Sequence, residues 1–339
     1  MNMPAQLAAN AQSNAWISSI IGLMVGLILT LLYAKISAVY PNKTLVEVNR
    51  AVFGKWFGTL LSLFILFPVF IISAGNLSEI GYFFTTHVMV ETPVHAILIL
   101  TLVAVIYVIR KGLEVMARSC EIFFPWTAAI LLILIIFLLP EVKMENLVPN
   151  FVKGIGPIVG AAYPYAMNPY SQLVIFLMIL PYVNQVAKAR KGLLVGVMIA
   201  GFVTTIITVM CLGVLGVDVT ARNTHPSYVL GKKISIGGFL ERVEVLVALS
   251  WIFSTFFRLL VSTFVLILGI SQILKMIDIK PLILPSGFLL LVYSMINNPN
   301  NVSIRQFLFE TWPAYLLTSF VLLPLLVYIG ALIKTKKEA

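Results

Sequence analysis

Residues 155–182 read IGPIVGAAYPYAMNPYSQLVIFLMILPY. The run is apolar and longer than the roughly 20 residues that a helix needs to cross the hydrocarbon core of a bilayer. Near its middle, however, Pro164 and Pro169 each lack the amide N–H of a helical turn and clash with the preceding turn. Backbone groups freed in this way are tolerated inside a membrane only where protein or a water-filled cavity surrounds them. The run therefore predicts a membrane helix that is interrupted near its middle.

Polar side chains surround this interruption. Asn168, Tyr170 and Ser171 lie beside the second proline. Broken helices of this kind carry the substrate site of many transporters, and their polar groups contact the ligand as well as repair the backbone. The pattern favours a small-molecule site, with a simple proline kink as the alternative.

Eight further long apolar runs accompany this one. The 339-residue chain is 60% hydrophobic and 11% charged, with a mean hydropathy of +1.03, and this composition excludes a water-soluble globule of this size. The runs are too long and too uniformly apolar for barrel strands, which alternate at period two. The prediction is an all-α, polytopic protein of the lipid bilayer with a single transmembrane domain over 1–339. The predicted spans are 16–39, 57–83, 93–109, 122–140, 155–182, 193–216, 243–274, 281–297 and 312–333.

The lysines and arginines are distributed unevenly between the loops that connect the predicted spans. If the first span runs inward, most of the 23 basic residues fall in connections on the inner side, which predicts a cell-membrane protein with a cytoplasmic C-terminus and an external N-terminus. The net charge of +10 then reflects topology, and no nucleic-acid partner is expected. The polar start, residues 2–14, is predicted to be unstructured. An odd number of spans with an exported start and no signal sequence predicts a truncated or mis-started chain that lacks one first helix.

No pattern of catalytic or metal-binding residues is present in the sequence. The histidines, cysteines and carboxylates have no metal-ligand spacing, so we expect no metal, no cofactor and no enzymatic activity. Gly156 and Gly160, four residues apart, are predicted to be a helix-packing pair rather than part of a phosphate-binding loop.

Arg258 lies near the middle of the 243–274 span. A charge at that depth costs at least about 2.5 kcal/mol on insertion scales, so its side chain should face the protein interior or a cavity. Two interpretations stay open: a bond to carbonyls freed at the broken helix, or a counter-ion for a carboxylate-bearing ligand. Both place Arg258 beside the break, with Ser254 and Phe257 as its neighbours.

The 57–83 span is unusually polar in its second half. Ser73 and Asn76 are predicted to be walls of the same pocket. Glu79 is either a carboxylate at the membrane surface or part of an aqueous vestibule. No acidic residue is expected at the depth of Arg258, which counts against ion-coupled transport.

Several different short strings follow one another in a characteristic order along the chain. Examples are 41–45 (PNKTL), 53–56 (FGKW), 110–118 (RKGLEVMAR), 239–242 (FLER) and 311–313 (TWP). In their order and spacing the chain resembles, over essentially its whole length, the B subunits of the nutrient germinant receptors of endospore-forming bacteria. This is the GerAB and GerKB type within the amino acid/polyamine/organocation transporter superfamily.

The resemblance implies a ten-helix fold of two inverted repeats, whose broken first and sixth helices enclose a small-molecule site. It also implies a receptor in the spore inner membrane that senses amino acids, sugars or nucleosides together with A and C subunits. On that pattern Met3 and Pro4 follow the break of the first helix. Many members have an acidic residue after the break of the sixth helix, where this chain has 169–172 (PYSQ), and this puts coupling to an ion in doubt.

The leading hypothesis from the sequence is a germinant-binding membrane subunit that triggers germination with its partner subunits. The alternatives are an amino acid secondary transporter and an inactive truncated remnant. The predicted ligand-binding residues are Asn168, Tyr170, Ser171, Arg258, Ser254, Phe257, Ser73 and Asn76.

Overall fold

A computed structural model describes residues 3–233, 243–297, 307 and 310–338, and this part of the chain is helical. The string at 239–242 lies outside the described residues. The α-helices are α1 (Met3–Ala11), α2 (Ala15–Val39), α3 (Leu45–Phe53), α4 (Lys55–His87), α5 (Val94–Lys111), α6 (Leu113–Leu138), α7 (Gly156–Tyr165), α8 (Val186–Met210), α9 (Val217–Arg222), α10 (Pro226–Gly231), α11 (Val243–Leu274), α12 (Lys280–Ile296), α13 (Trp312–Leu316) and α14 (Leu323–Glu338). Wider π-helical turns cover Ala166–Tyr170, Cys211–Leu215 and Leu317–Leu322.

Within the described residues, seven helical stretches are long and apolar enough to cross a membrane, judged by length and composition. They coincide with seven of the nine predicted spans. Of the other two, 155–182 is interrupted and 281–297 corresponds to the 17-residue helix α12. The predicted all-α, multi-pass membrane protein is confirmed. The seven stretches are Met3–Val39, Lys55–His87, Val94–Lys111, Leu113–Glu141, Val186–Leu215, Glu244–Leu274 and Trp312–Lys334.

The chain divides into two compact units. Unit 1 comprises Met1–Thr30, Phe123–Ser171 and Lys191–Phe253. Unit 2 comprises Leu31–Ile122, Gln172–Arg190 and Ser254–Ala339. The single transmembrane domain over 1–339 stays a prediction.

The first residues of the described chain are helical, so the expectation of an unstructured start was wrong. Helix α1 packs against α7 and α9 within unit 1, and Leu7 and Ala8 are buried. Apart from Gln6 and Asn10, the helix consists mainly of alanine and leucine, which are strong helix formers, and burial of the apolar side stabilises the short helix. The helical stretch bends at Gln12, whose backbone is left-handed with φ of 53°, and then continues through a 3₁₀ turn into α2.

Within the described residues, the glycine pair at 156 and 160 packs against no other helix, so that prediction was wrong for this part of the chain. A Cβ atom at Gly156 or Gly160 would have no described neighbour within 4 Å. Among the glycines that do make a close approach in unit 1 are Gly22 and Gly26 on α2, one helical turn apart. The spacing of four residues allowed both pairs, and only the tertiary packing distinguishes them.

Helix α3 connects the end of α2 to the start of α4 in unit 2. Thr44 and Glu47 form a reciprocal cap at its N-terminus, which satisfies two otherwise unpaired backbone N–H groups. Arg50, in its last turn, donates to the carbonyl oxygens of Gln272 at 2.7 Å and Ile273 at 2.9 Å. The last carbonyls of a helix lack partners within it, so Arg50 stabilises the C-terminal end of α11.

Candidate functional site

The interruption predicted in 155–182 is present. Helix α7 ends at Tyr165 and is followed by the π-helical turn Ala166–Tyr170, then by the 3₁₀ segments Gln172–Met178 and Leu180–Tyr182. In α-helical register the missing N–H of Pro169 would have bonded to the carbonyl of Tyr165. The chain adopts a wider turn there, and such turns occur frequently at functional sites.

Two tyrosines border this break and contact each other. The rings of Tyr165 and Tyr170 pack edge to face with centroids 5.8 Å apart, and their hydroxyl oxygens are 3.4 Å apart. Opposite them lie Gly22 and Gly26, where an added Cβ would overlap the rings of Tyr165 and Tyr170 respectively. The absence of two side chains on α2 therefore allows the tyrosine pair to pack closely against that helix in unit 1.

Of the other two predicted contacts at the break, Asn168 lies in the same turn and Ser171 directly follows it. Ser171 is fully buried, and its hydroxyl donates to the carbonyl oxygen of Met167. This bond satisfies a carbonyl of the π-helical turn, so Ser171 has a structural role in repairing the backbone. Asn168 is half-buried beside Pro169, whereas Tyr170 is 6% exposed. The structure thus places all three residues in the break, with Asn168 the most accessible.

Helix α4 contributes the predicted wall residues in unit 2. Ser73 is fully buried and donates to the carbonyl of Val69 at 2.8 Å. Asn76 is 5% exposed, and its Nδ2 has no hydrogen-bond partner in the part of the chain that the structure describes. A buried donor without a partner costs about 1–3 kcal/mol. Asn76 is therefore the residue on this helix best suited to donate to a ligand or a water molecule.

Arg258 is paired with a carboxylate. Its Nη2 donates to Oε2 of Glu79 at 2.8 Å, with side-chain exposures of 44% for Arg258 and 23% for Glu79. This partner replaces the freed carbonyls that one interpretation assigned to Arg258. It also corrects the expectation that no acidic residue shares the depth of Arg258. Helix α4 has 33 residues, which is far more than a bilayer requires, so the position of Glu79 near the end of the apolar run did not determine its level relative to Arg258.

The neighbours of Arg258 on α11 face different surroundings. Ser254, one helical turn earlier, is exposed on the same side as Arg258, because residues four apart share a helix face. Phe257 is half-buried and packs edge to face against Phe256, with centroids 5.7 Å apart. On this side α11 presents a hydroxyl and a guanidinium with further N–H donors. Helix α4 adds the paired carboxylate of Glu79.

The predicted residues thus fall into two sets. The break residues belong to unit 1, and Ser73, Asn76, Ser254, Phe257 and Arg258 belong to unit 2. A single pocket that includes both sets stays a prediction. The sequence did not identify Glu79 as a partner of Arg258, although its carboxylate in an apolar run was a usable signal.

The chain is a multi-pass membrane protein of transporter-like fold. This class is indicated by its long apolar helices, by one helix that a polar turn interrupts and by a charged pair on two other helices. Among solved structures, the chain is similar to the crystal structure of MhsT in complex with L-phenylalanine. The TM-score is 0.63 over 97% of each chain, and the sequence identity is 15%. At this identity the likeness concerns the fold alone.

Sequence comparison identifies the family. The profile described as "Spore germination protein" matches residues 1–302, and the chain belongs to this family. It is 30% identical to Spore germination protein KB of Bacillus subtilis (strain 168), over 97% of this chain and 89% of that protein. It is 28% identical to Spore germination protein YndE of the same organism, over 97% and 90% respectively. The resemblance inferred from the short sequence strings is confirmed.

Proposed function

We propose that this chain is the germinant-binding membrane subunit of a spore nutrient receptor. It senses a small polar nutrient such as an amino acid and triggers germination together with an A and a C subunit. The chain acts in the spore inner membrane with its C-terminus in the cytoplasm. Its membership of the spore germination family supports a role in germination.

The observation that carries the proposal is the interrupted segment after Tyr165. Its π-helical and 3₁₀ turns leave backbone groups outside the regular helical pattern, and Asn168 and Tyr170 add polar side chains at the same place. A similar fold binds L-phenylalanine in MhsT, which supports an amino acid as the ligand class. In this proposal Arg258 binds the carboxylate of the ligand, and Asn76 donates its unpaired N–H.

No covalent bond is made or broken in this function. The ligand acts by binding one conformation of the protein more tightly than another, and the difference in affinity shifts the equilibrium between them. The partner subunits respond to that shift, so the ligand site and the subunit contacts are coupled energetically.

The test is binding by the purified chain in lipid nanodiscs. We expect one nutrient from a panel of amino acids, sugars and nucleosides to raise the melting temperature in a saturable manner. Arg258→Ala should abolish this shift. The control is Arg118→Ala, since Arg118 also pairs with a glutamate, Glu114 at 2.6 Å, but lies on the exposed side of α6. No shift with any nutrient, or equal loss in both variants, would contradict the proposal.

A second candidate is secondary transport of amino acids. The transporter-like fold and the Glu79 carboxylate beside Arg258 favour it, because a carboxylate within a membrane helix can carry a proton. Proteoliposomes that accumulate a labelled amino acid under a proton or sodium gradient, and fail to do so with Glu79→Gln, would establish transport. Saturable binding without accumulation would leave the receptor function alone.

A further inference from the structure

A cavity with several polar lining residues lies in unit 1, at the start of α7 and before the break that follows Tyr165. It has a volume of about 120 Å³ and opens between the α1–α2 turn and the loop that precedes α7. This volume equals that of about four water molecules in the liquid, and so of one small organic molecule. None of its lining residues is acidic. They are Asn10, Ala11, Gln12, Asn14, Asn150, Val152, Lys153, Gly154 and Pro157.

Hydrogen bonds fix the far wall of this cavity. Asn14 is 5% exposed. Its Nδ2 donates to the carbonyl of Asn150 at 2.6 Å, and its Oδ1 accepts from the N–H of Asn150 at 2.9 Å. The Oδ1 of Asn150 in turn accepts from the N–H of Val152 at 3.1 Å. Trp16 adds a bond from its ring N–H to the carbonyl of Leu147 at 3.3 Å. The α1–α2 turn and the loop are therefore held together independently of any ligand.

The remaining polar side chains, Lys153, Gln12 and Asn10, are exposed to solvent, so their donors are available to a ligand. Within the described residues, neither Lys153 nor Gln12 makes a side-chain hydrogen bond or ion pair, and Asn10 has only a long bond of 3.4 Å to the carbonyl of Gln6. A lysine ammonium carries three donors and no acceptor. Helix α7 begins at Gly156, next to the cavity, and the start of a helix favours negative charge. The cavity thus has donors and positive charge in excess of acceptors.

We propose that this cavity is a second ligand site, which binds a small carboxylate of about two or three carbons through Lys153 and the amides of Gln12 and Asn10. The size follows from the cavity volume, and the charge follows from its donors. A bound anion would connect the turn after α1 with the loop before α7, two helices that already pack against each other. Its occupancy would therefore strengthen the packing of the element that leads into the break. This site is independent of the proposed nutrient site.

The probe is L-lactate, with lactamide as a neutral molecule of nearly the same shape. Binding is measured by saturation-transfer NMR on the full chain in nanodiscs. We expect saturable binding of lactate and no binding of lactamide. Lys153→Gln should weaken lactate binding about tenfold, the typical effect of one charge-assisted hydrogen bond. Lys143→Gln is the matched control, because Lys143 is exposed in the same loop but does not line the cavity.

Three outcomes would overturn this proposal. The first is equal binding of lactate and lactamide, or no binding of either. The second is an unchanged lactate affinity in Lys153→Gln. The third is loss of lactate binding in Arg258→Ala but not in Lys153→Gln, which would assign the lactate to the nutrient site instead.

Discussion

The ring of Tyr170 packs directly on Gly26, so closely that a Cβ at residue 26 would overlap three of its ring atoms. One turn earlier on α2, Gly22 makes the same contact with Tyr165. The two glycines and the two tyrosines therefore form one interlocking surface in unit 1. The position of the π-helical turn depends on it, because Tyr170 is the last residue of that turn.

We expect Gly26→Ala to displace Tyr170 and to lower the free energy of unfolding by about 1–3 kcal/mol, the usual cost of adding a methyl group to a closely packed site. The measurement is reversible unfolding in mixed micelles, together with the fluorescence of the chain. The matched control is Gly160→Ala, since a Cβ at Gly160 would meet no described atom within 4 Å. In the control the higher helix propensity of alanine should dominate and leave stability equal or raised. Equal destabilisation by both variants would contradict the packing argument.

The Arg258–Glu79 pair should show a measurable coupling energy. In a double-mutant cycle with Arg258→Gln and Glu79→Gln we expect a coupling of about 0.5–1 kcal/mol in the free energy of unfolding, because water reaches both side chains and screens their attraction. The same cycle at Arg118 and Glu114, whose side chains are 72% and 76% exposed, should give a smaller value. A coupling no larger than that of the exposed pair would show that the Arg258–Glu79 contact contributes nothing to stability.

Replacement of Arg50 should loosen the end of α11. Arg50→Lys keeps the charge but loses the forked geometry that reaches the carbonyls of Gln272 and Ile273. We expect a loss of about 1–2 kcal/mol in the free energy of unfolding and faster hydrogen exchange over residues 271–276. Arg118→Lys is the control. Unchanged exchange in that segment would mean that the α11 terminus is stable without Arg50.

A glycine at position 275 should stabilise the protein. Lys275 has a left-handed backbone with φ of 56°, and the N–H of Met276 bonds to the carbonyl of Ser271 at 2.9 Å, the arrangement in which glycine is preferred after a helix. We expect Lys275→Gly to raise the free energy of unfolding by about 0.5–1 kcal/mol. Gly112→Ala, at φ of 94°, should have the opposite effect. A destabilising Lys275→Gly would show that the lysine side chain makes a compensating contact.

The sequence predicted those features that depend on local chemistry. Long apolar runs marked the membrane helices because their length and composition leave few alternatives. The prolines at 164 and 169 located the break, because a missing N–H disrupts a helix wherever it lies. Asn168 and Tyr170 lie in that turn and Ser171 directly follows it, whereas their contact with a ligand stays a prediction.

Features that depend on contacts between distant residues were not predictable in this way. The partner of Arg258 is 179 residues away in the chain, and the carboxylate of Glu79 in an apolar run signalled a buried partner without indicating which residue it was. The glycine spacing at 156 and 160 is the same as at 22 and 26, yet only the second pair lies against aromatic rings. Helix α1 was missed because Gln6 and Asn10, with the polar residues at 12–14, suggested an unstructured start, and the burial of Leu7 depends on the packing of α1 against α7 and α9.

The π-helical turns have a mechanical consequence. Each contains one residue more per hydrogen-bonded ring than an α-helix, and one residue corresponds to a rotation of about 100°. If the wide turn shifted along the helix by a few residues, the side chains in the shifted segment would rotate to another face of the helix, and the helix would not unfold. A shift of the turns at Ala166–Tyr170 and Leu317–Leu322 by one residue would therefore reorient a few side chains while the long helices stay in place.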